Sequence, residues 1–278
     1  MTETSQLATG TAAPRRTGRF PACTGRFDDP GTRARIDALV RWIEARFGDD
    51  LRQRPSKHVY VRTLPPDVIA QVDLLRSDPL IERAIRRHFG EACSITPMPD
   101  TDELYLSHYN KDYGGDHGLF AKHYDGNLRF LPGGAVVRAL IYLQSDAAYK
   151  VVFADSGVER AFASYEFGLL DFHRELHWVE GEYRPDDRQR ILLKCNYLVT
   201  ARGSRFAQRA LLAVNAGVFY VVKAAMEYSK SPRTLPQRAV GWVCNGARLL
   251  NNVHPLLPIA VALAALGATS WTIVRLAL

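Results

Sequence analysis

Cysteine is scarce in this chain of 278 residues: there are four, Cys23, Cys93, Cys195 and Cys244, far apart in the sequence. No C-x-x-C pair and no zinc-ligand spacing occurs. A disulfide scaffold and a cysteine-ligated zinc site are thereby excluded. The first 20 residues, MTETSQLATGTAAPRRTGRF, lack an apolar stretch that could serve as a secretory signal. A reducing, cytoplasmic location with free thiols is the expectation. Nucleotide-binding and hydrolase signatures are missing as well: there is no P-loop, no G-x-G-x-x-G after a strand, no G-x-S-x-G elbow and no H-E-x-x-H. Acidic residues are nearly absent from one segment. Of the 29 acids only Glu227 lies in residues 202–278, against nine of the 36 basic residues, so that quarter carries +8 and the first 201 residues carry −1. A nucleic-acid reader mixes basic residues with aromatics across a folded face. Here the basic segment is also the most apolar one, and no nucleic-acid partner is expected.

What is present is enough for a core, with 47% hydrophobic residues. Residues 1 to about 30 have no periodicity and read as a disordered leader. From Arg33 to Phe47, Ile36, Leu39, Val40, Ile43 and Phe47 fall at helical spacing, with Gly48 as a stop. Two shorter helices are expected at Pro66–Ser77 and Pro79–Phe89. Beyond Asp102 the texture changes to short runs rich in β-branched and aromatic residues, at 103–110, 118–125, 135–144, 149–155, 159–165, 168–172 and 188–199. Strands at this spacing without helices between them predict an antiparallel barrel or sandwich. The chain then divides into a leader (1–30), a mainly β domain with flanking helices (31–200) and a helical, apolar tail (201–278). Within the tail Phe206–Tyr228 is amphipathic, and Leu256–Val274 runs 19 residues without a charge before Arg275. That is close to the length a helix needs to cross a bilayer. It fits either contact with a membrane surface through apolar and basic residues or a helical cap packed on the protein.

The chemistry-bearing residues cluster in the β region. His123-Tyr124-Asp125 ends one expected strand. In extended chain, positions i and i+2 face the same way, so His123 and Asp125 can reach one ion together. His177 follows 54 residues later, after the strand-like Gly168–Phe172. Two imidazoles and one carboxylate leave metal positions open, a ligand set suited to non-haem Fe(II). Arg190 opens the last strand 13 residues beyond His177, and an inward guanidinium can bind a dicarboxylate's far carboxylate through two parallel hydrogen bonds.

Over roughly Leu104–Val199 this pattern resembles the Fe(II)- and 2-oxoglutarate-dependent dioxygenases, in the style of their prolyl-4-hydroxylase-like branch. His123, Asp125 and His177 match the iron ligands, Arg190 the 2-oxoglutarate anchor, and Tyr109 a tyrosine that borders the co-substrate. VVRALIYL (136–143) resembles the strand that follows H-x-D in that family. In place of the Asn and Gly-Gly-x-x-x-F stretch found in many members stands QSDAAYKVVFADSG (144–157), a departure that argues against a collagen-type substrate. The resemblance implies a double-stranded β-helix, or jelly-roll barrel. It also implies Fe(II), 2-oxoglutarate, dioxygen and ascorbate as reactants, with succinate and carbon dioxide released. Because Asp125 is present, hydroxylation or desaturation is implied rather than halogenation. The substrate class stays open among small-molecule, lipid-like and peptidyl compounds. A second reading is a non-catalytic jelly-roll module docked to a membrane or partner by its tail.

Several neighbours compete for these roles. Arg188 and Lys194 share the strand face with Arg190 as candidate anchors, and His173 lies four residues before His177. Arg138 is expected to pair with a carboxylate in a structural or substrate-binding role. Cys195 reads as a small buried residue. His58, His88, His108, His117 and His254 have no spacing partners and read as structural or exposed.

Overall fold

A computed structural model describes residues 20–53, 56–107, 122–126, 134–181, 190–201, 208–217, 219–220, 234 and 238. In order these form β1 (Cys23–Arg26), α1 (Pro30–Gln53), β2 (Ser56–Tyr60), α2 (Pro66–Arg76), α3 (Pro79–Phe89), β3 (Ser94–Pro97), β4 (Glu103–Ser107), β5 (Gly134–Gln144), β6 (Asp146–Phe153), β7 (Val158–Ala163), β8 (Glu166–Asp171), β9 (His177–Glu180) and β10 (Arg190–Thr200). The protein is mainly β with helices at its N-terminal side. The larger sheet runs β1-β8-β5-β10-β4-β2, with β3 also on β10, and the smaller runs β7-β6-β9. Every pairing is antiparallel.

Alternation along β5 and β10 explains both the layers and the site. Both strands are buried over nearly their whole length, so each face must meet something. Successive side chains point to opposite faces. Val137, Ala139, Ile141 and Leu143 of β5, with Ile191, Leu193, Cys195, Tyr197 and Val199 of β10, join Ile36, Leu39 and Ile43 of α1, Val72 and Leu75 of α2, and Ile81 and Ile85 of α3 in one apolar cluster. The even-numbered Leu140, Tyr142 and Leu192 belong to a second cluster, with Tyr149, Val151, Phe153, Phe162 and Val179 of the smaller sheet. Two antiparallel sheets thus face each other over an aromatic interior, as a jelly roll requires. Gly168 of β8 makes room for this contact: a Cβ there would lie 2.9 Å from Phe162 Cζ. Without it Phe162 stacks on Tyr142 at 4.4 Å.

Three local readings of the sequence differ from the structure. The expected leader to residue 30 is folded from residue 20 onward. Phe20 is buried and stacks on Phe89 at 5.7 Å, and β1 pairs with β8 from Cys23↔Leu169 to Arg26↔Glu166. CTGR has no apolar alternation because backbone pairing, not side-chain burial, holds it. Gly48 does not end α1, which continues to Gln53. A Cβ at Gly48 would meet nothing within 4 Å, so this glycine is simply tolerated in the helix. Strands β2 and β3 are half-buried edge segments whose short sequences carry little pattern.

The chain divides into two compact units, and the described sheets and α1 to α3 all belong to the first. Residues 208–217 are helical, within the expected Phe206–Tyr228 helix. Among the described residues no helix is long and apolar enough to cross a membrane. Leu256–Val274 lies outside them.

Candidate metal centre

Strand pairing sets two imidazoles side by side. His123 forms an isolated antiparallel bridge with His177 at the start of β9, each donating its backbone N–H to the other's carbonyl at 3.0 Å. Directly opposed residues of such a pair point to the same face, and the two ring centroids are 4.5 Å apart. Asp125, two residues along the same segment, comes round to join them. Its Oδ1 lies 3.7 Å from His123 Nε2 and its Oδ2 lies 3.6 Å from His177 Nε2. All three potential ligand atoms fall within 4.8 Å of one another. These separations are too long for good hydrogen bonds and short enough for one ion to touch all three groups.

The surroundings fix what each ligand can do. His177 Nδ1 lies 3.1 Å from the Glu175 carbonyl; donating its proton there leaves the Nε2 lone pair aimed into the cluster. Glu175 is itself buried, and its carboxylate accepts from the backbone N–H groups of Asp155 and Ser156 and, at 2.6 Å, from Ser156 Oγ. The turn between β6 and β7 therefore anchors the loop that delivers His177. Burial pushes the His177 imidazole down to about 4 in spite of the neighbouring Asp125 carboxylate, so it is neutral and able to ligate at neutral pH. Burial also opposes charge on Asp125, but the Arg138 guanidinium, then His177 and Lys194, hold its carboxyl well below the usual carboxylate range. Arg138 Nη1 donates to Asp125 Oδ2 at 2.7 Å.

A small cleft opens at this cluster, with Leu140, Val151, Val179 and Leu192 among its apolar lining. Its polar lining includes Arg190, Tyr142 and Lys194. Arg190 is buried, and its Nη2 donates to Tyr142 Oη at 3.2 Å. A phenol oxygen that accepts from a guanidinium turns its own proton toward another acceptor, so the pair suits a carboxylate. Lys194 Nζ sits 3.2 Å from Glu103 Oε1 and 4.8 Å above the Tyr105 ring. Glu103 also meets His58 Nδ1 at 3.3 Å.

The structure thus gathers His123, Asp125, His177, Arg190 and Lys194 around one cleft. Tyr109 and Arg188 lie outside the described residues, as do His108, His117 and His254. His173 is buried edge-on against Phe172 at 4.8 Å and is not one of the three clustered groups. His88 packs edge-on against both Phe20 and Phe89. The Cys195 thiol is held well above its ordinary value by burial, as a packed rather than reactive residue requires; Cys23, Cys93 and Cys195 are all free thiols. Tyr142 and Tyr105 were not singled out as site residues from the sequence. Their signal was strand parity: Tyr142 and Tyr105 both pair with the inward-facing Leu192.

No protein-family model matches the chain, and no curated protein matches it. Among solved structures it is similar to SnoN, a non-heme alpha ketoglutarate dependent epimerase from nogalamycin biosynthesis, with a TM-score of 0.44 and 13% identity over 68% of this chain and 84% of that one. It is also similar to a Pseudomonas putida prolyl-4-hydroxylase, with a TM-score of 0.39 and 16% identity over 66% of this chain and 94% of the other. HygX from Streptomyces hygroscopicus, solved with nickel and 2-oxoglutarate bound, gives a TM-score of 0.40 and 13% identity over 64% of this chain and 83% of its own. All three likenesses lie below 25% identity, and the functional reading rests instead on the side chains in the cleft.

Proposed function

We propose that this chain is an Fe(II)- and 2-oxoglutarate-dependent oxygenase that hydroxylates a small-molecule, lipid-like or peptidyl substrate. The observation that carries the reading is convergence. His123 and Asp125 from one segment and His177 from another come to within 4.8 Å of one another in a cleft that also holds a buried Arg190–Tyr142 pair. Two imidazole nitrogens and one carboxylate fit Fe(II) and leave positions for other ligands. When bound, Fe(II) with 2-oxoglutarate and dioxygen supplies oxidative decarboxylation to succinate and carbon dioxide, coupled to oxidation of the substrate, with ascorbate as a reductant of spent metal.

The protein's own part is binding, orientation and exclusion of water. His123 and His177 leave paired backbone on the same face, which sets their rings side by side. Arg190 and Tyr142 would hold the far carboxylate of the co-substrate by charge-assisted hydrogen bonds. Lys194 is already engaged with Glu103, which favours Arg190 over Lys194 as the anchor. Leu140, Val151, Val179 and Leu192 keep water from the reacting centre. The +8 charge of residues 202–278 and the uncharged Leu256–Val274 support placing the enzyme in the cytoplasm at an anionic membrane surface.

Anaerobic addition of Fe(II) and 2-oxoglutarate tests the site. A metal-to-ligand charge-transfer band is expected with the wild-type protein and is expected to vanish in His177→Ala. Its absence from the wild type would remove the oxygenase reading and leave a non-catalytic jelly-roll module.

A further inference from the structure

We propose that Arg138 is a positioning residue for the metal site: it clamps Asp125 by one oxygen and ties that carboxylate to the helical core through a buried polar chain. The inference rests on the metal reading above and extends it to residues with no part in holding co-substrate. Three contacts fix the guanidinium. Nη1 donates to Asp125 Oδ2 at 2.7 Å, Nε donates to Asn196 Oδ1 at 2.9 Å, and Cζ lies 4.2 Å from the Phe172 ring centroid. Arg138 and Asn196 are direct cross-strand partners on β5 and β10, so the second contact follows from sheet register.

Asn196 is held in turn. Its side-chain amide donates to the Thr101 carbonyl and hydroxyl at 3.1 and 3.0 Å, and its backbone N–H donates to Asp102 Oδ1 at 2.9 Å. Asp102 Oδ2 accepts from Arg76 Nε of α2 at 2.7 Å. Arg138, Asn196, Thr101 and Asp102 are each no more than 2% exposed. A chain of buried, mutually satisfied groups leaves its end member few alternative positions. With Oδ2 engaged by Arg138, Oδ1 of Asp125, 3.7 Å from His123 Nε2, is the oxygen that would be left for a metal. Arg138 is thereby committed to the protein and is not a substrate ligand.

Co(II) is the probe, because its visible spectrum reports ligand geometry without turnover. Hydrogen-bonding partners of metal ligands typically contribute about 10- to 100-fold in metal affinity. Arg138→Met is expected to weaken Co(II) binding by that factor and to change the Co(II) ligand-field bands. Arg138→Lys, which keeps the charge and one donor, is expected to recover part of both. Asn196→Ala, which frees the guanidinium at one end, is expected to move affinity and spectrum in the same direction by less. A guanidinium acting only as a positive charge beside the cation would tighten binding on removal. Tighter Co(II) binding in Arg138→Met, or affinity and spectra unchanged in both Arg138→Met and Asn196→Ala, overturns the proposal. Circular dichroism of each metal-free variant identifies any that does not fold, and Arg138→Lys with Asn196→Ala then carries the test on the same criteria. A wild-type protein that binds no Co(II) overturns the metal reading itself, which separates the two failures.

Discussion

At the scale of single residues, the proposed metal ligands and the proposed co-substrate anchor are different side chains of one cleft, and the two functions should fail separately. Arg190 and Tyr142 lie on inward positions of β10 and β5 and touch each other, while the three clustered ligand atoms come from His123, Asp125 and His177. A hydrogen bond to a charged group contributes about 1.5–3 kcal/mol, or roughly 10- to 100-fold in a dissociation constant. Arg190→Met is therefore expected to raise the 2-oxoglutarate dissociation constant by about that factor with Co(II) affinity unchanged. Tyr142→Phe, which removes one neutral donor, is expected to give a smaller rise. Calorimetric titration of the Co(II)-loaded protein with 2-oxoglutarate measures both; equal affinity in Arg190→Met and wild type would assign the anchor elsewhere, with Lys194 next in line. The grouping of His123, Asp125 and His177 was legible in the sequence because their residue types and the i, i+2 spacing suggest one shared site. Tyr142, Glu175 and Asn196 were not, because their roles come from cross-strand register and from one backbone carbonyl, neither of which a sequence displays.

At the scale of elements, legibility followed periodicity. Helices α2 and α3 begin at Pro66 and Pro79, the expected first residues, because apolar spacing and the prolines mark them twice. Strands β5 and β10 were legible as long apolar runs, and their burial on both faces explains why those runs hardly alternate. Strands β1 and β2 stayed hidden because backbone pairing at a sheet edge needs little from the side chains. The packing of β8 against the smaller sheet makes a sharp prediction. In Gly168→Ala the new methyl would crowd Phe162 and disturb its stack on Tyr142. A loss of about 1–3 kcal/mol in urea unfolding is expected, with weaker 2-oxoglutarate binding because Tyr142 moves. Full stability in this variant would mean that Phe162 has room to retreat. Helix α1 offers a pH prediction. Asp29 Oδ2 accepts from the Thr32 backbone N–H at 2.7 Å, and that bond, then the Thr32 side chain, hold its carboxyl below the ordinary value. A lowered folded value means that the capping contribution is complete above the ordinary carboxylate range and is lost as pH falls through it and below. The stability difference between wild type and Asp29→Ala should therefore shrink on acidification below about pH 4. A difference independent of pH would show that the charge on Asp29 has no part in the cap.

At the scale of the whole molecule, the division of charge along the sequence makes a prediction about location rather than catalysis. The first 201 residues are at −1 and contain every residue assigned a role in the cleft, whereas residues 202–278 carry +8. Attraction of about 1 kcal/mol per basic residue near an anionic leaflet accumulates over nine such residues, and it falls off within a Debye length of about 10 Å at 0.1 M salt. Full-length protein is therefore expected to co-sediment with vesicles containing phosphatidylserine and to remain in solution with phosphatidylcholine alone. Salt then distinguishes the two ways in which the tail would hold a membrane. If the basic residues carry the contact, raising salt to 1 M, where the Debye length is about 3 Å, releases the protein. If Leu256–Val274 inserts, burial of apolar surface does not depend on screening, and the protein stays with the vesicles until detergent is added. Equal partition between the two vesicle types at low salt would remove the membrane from the reading. The tail would then be expected to cover apolar surface of the protein itself or of a second copy.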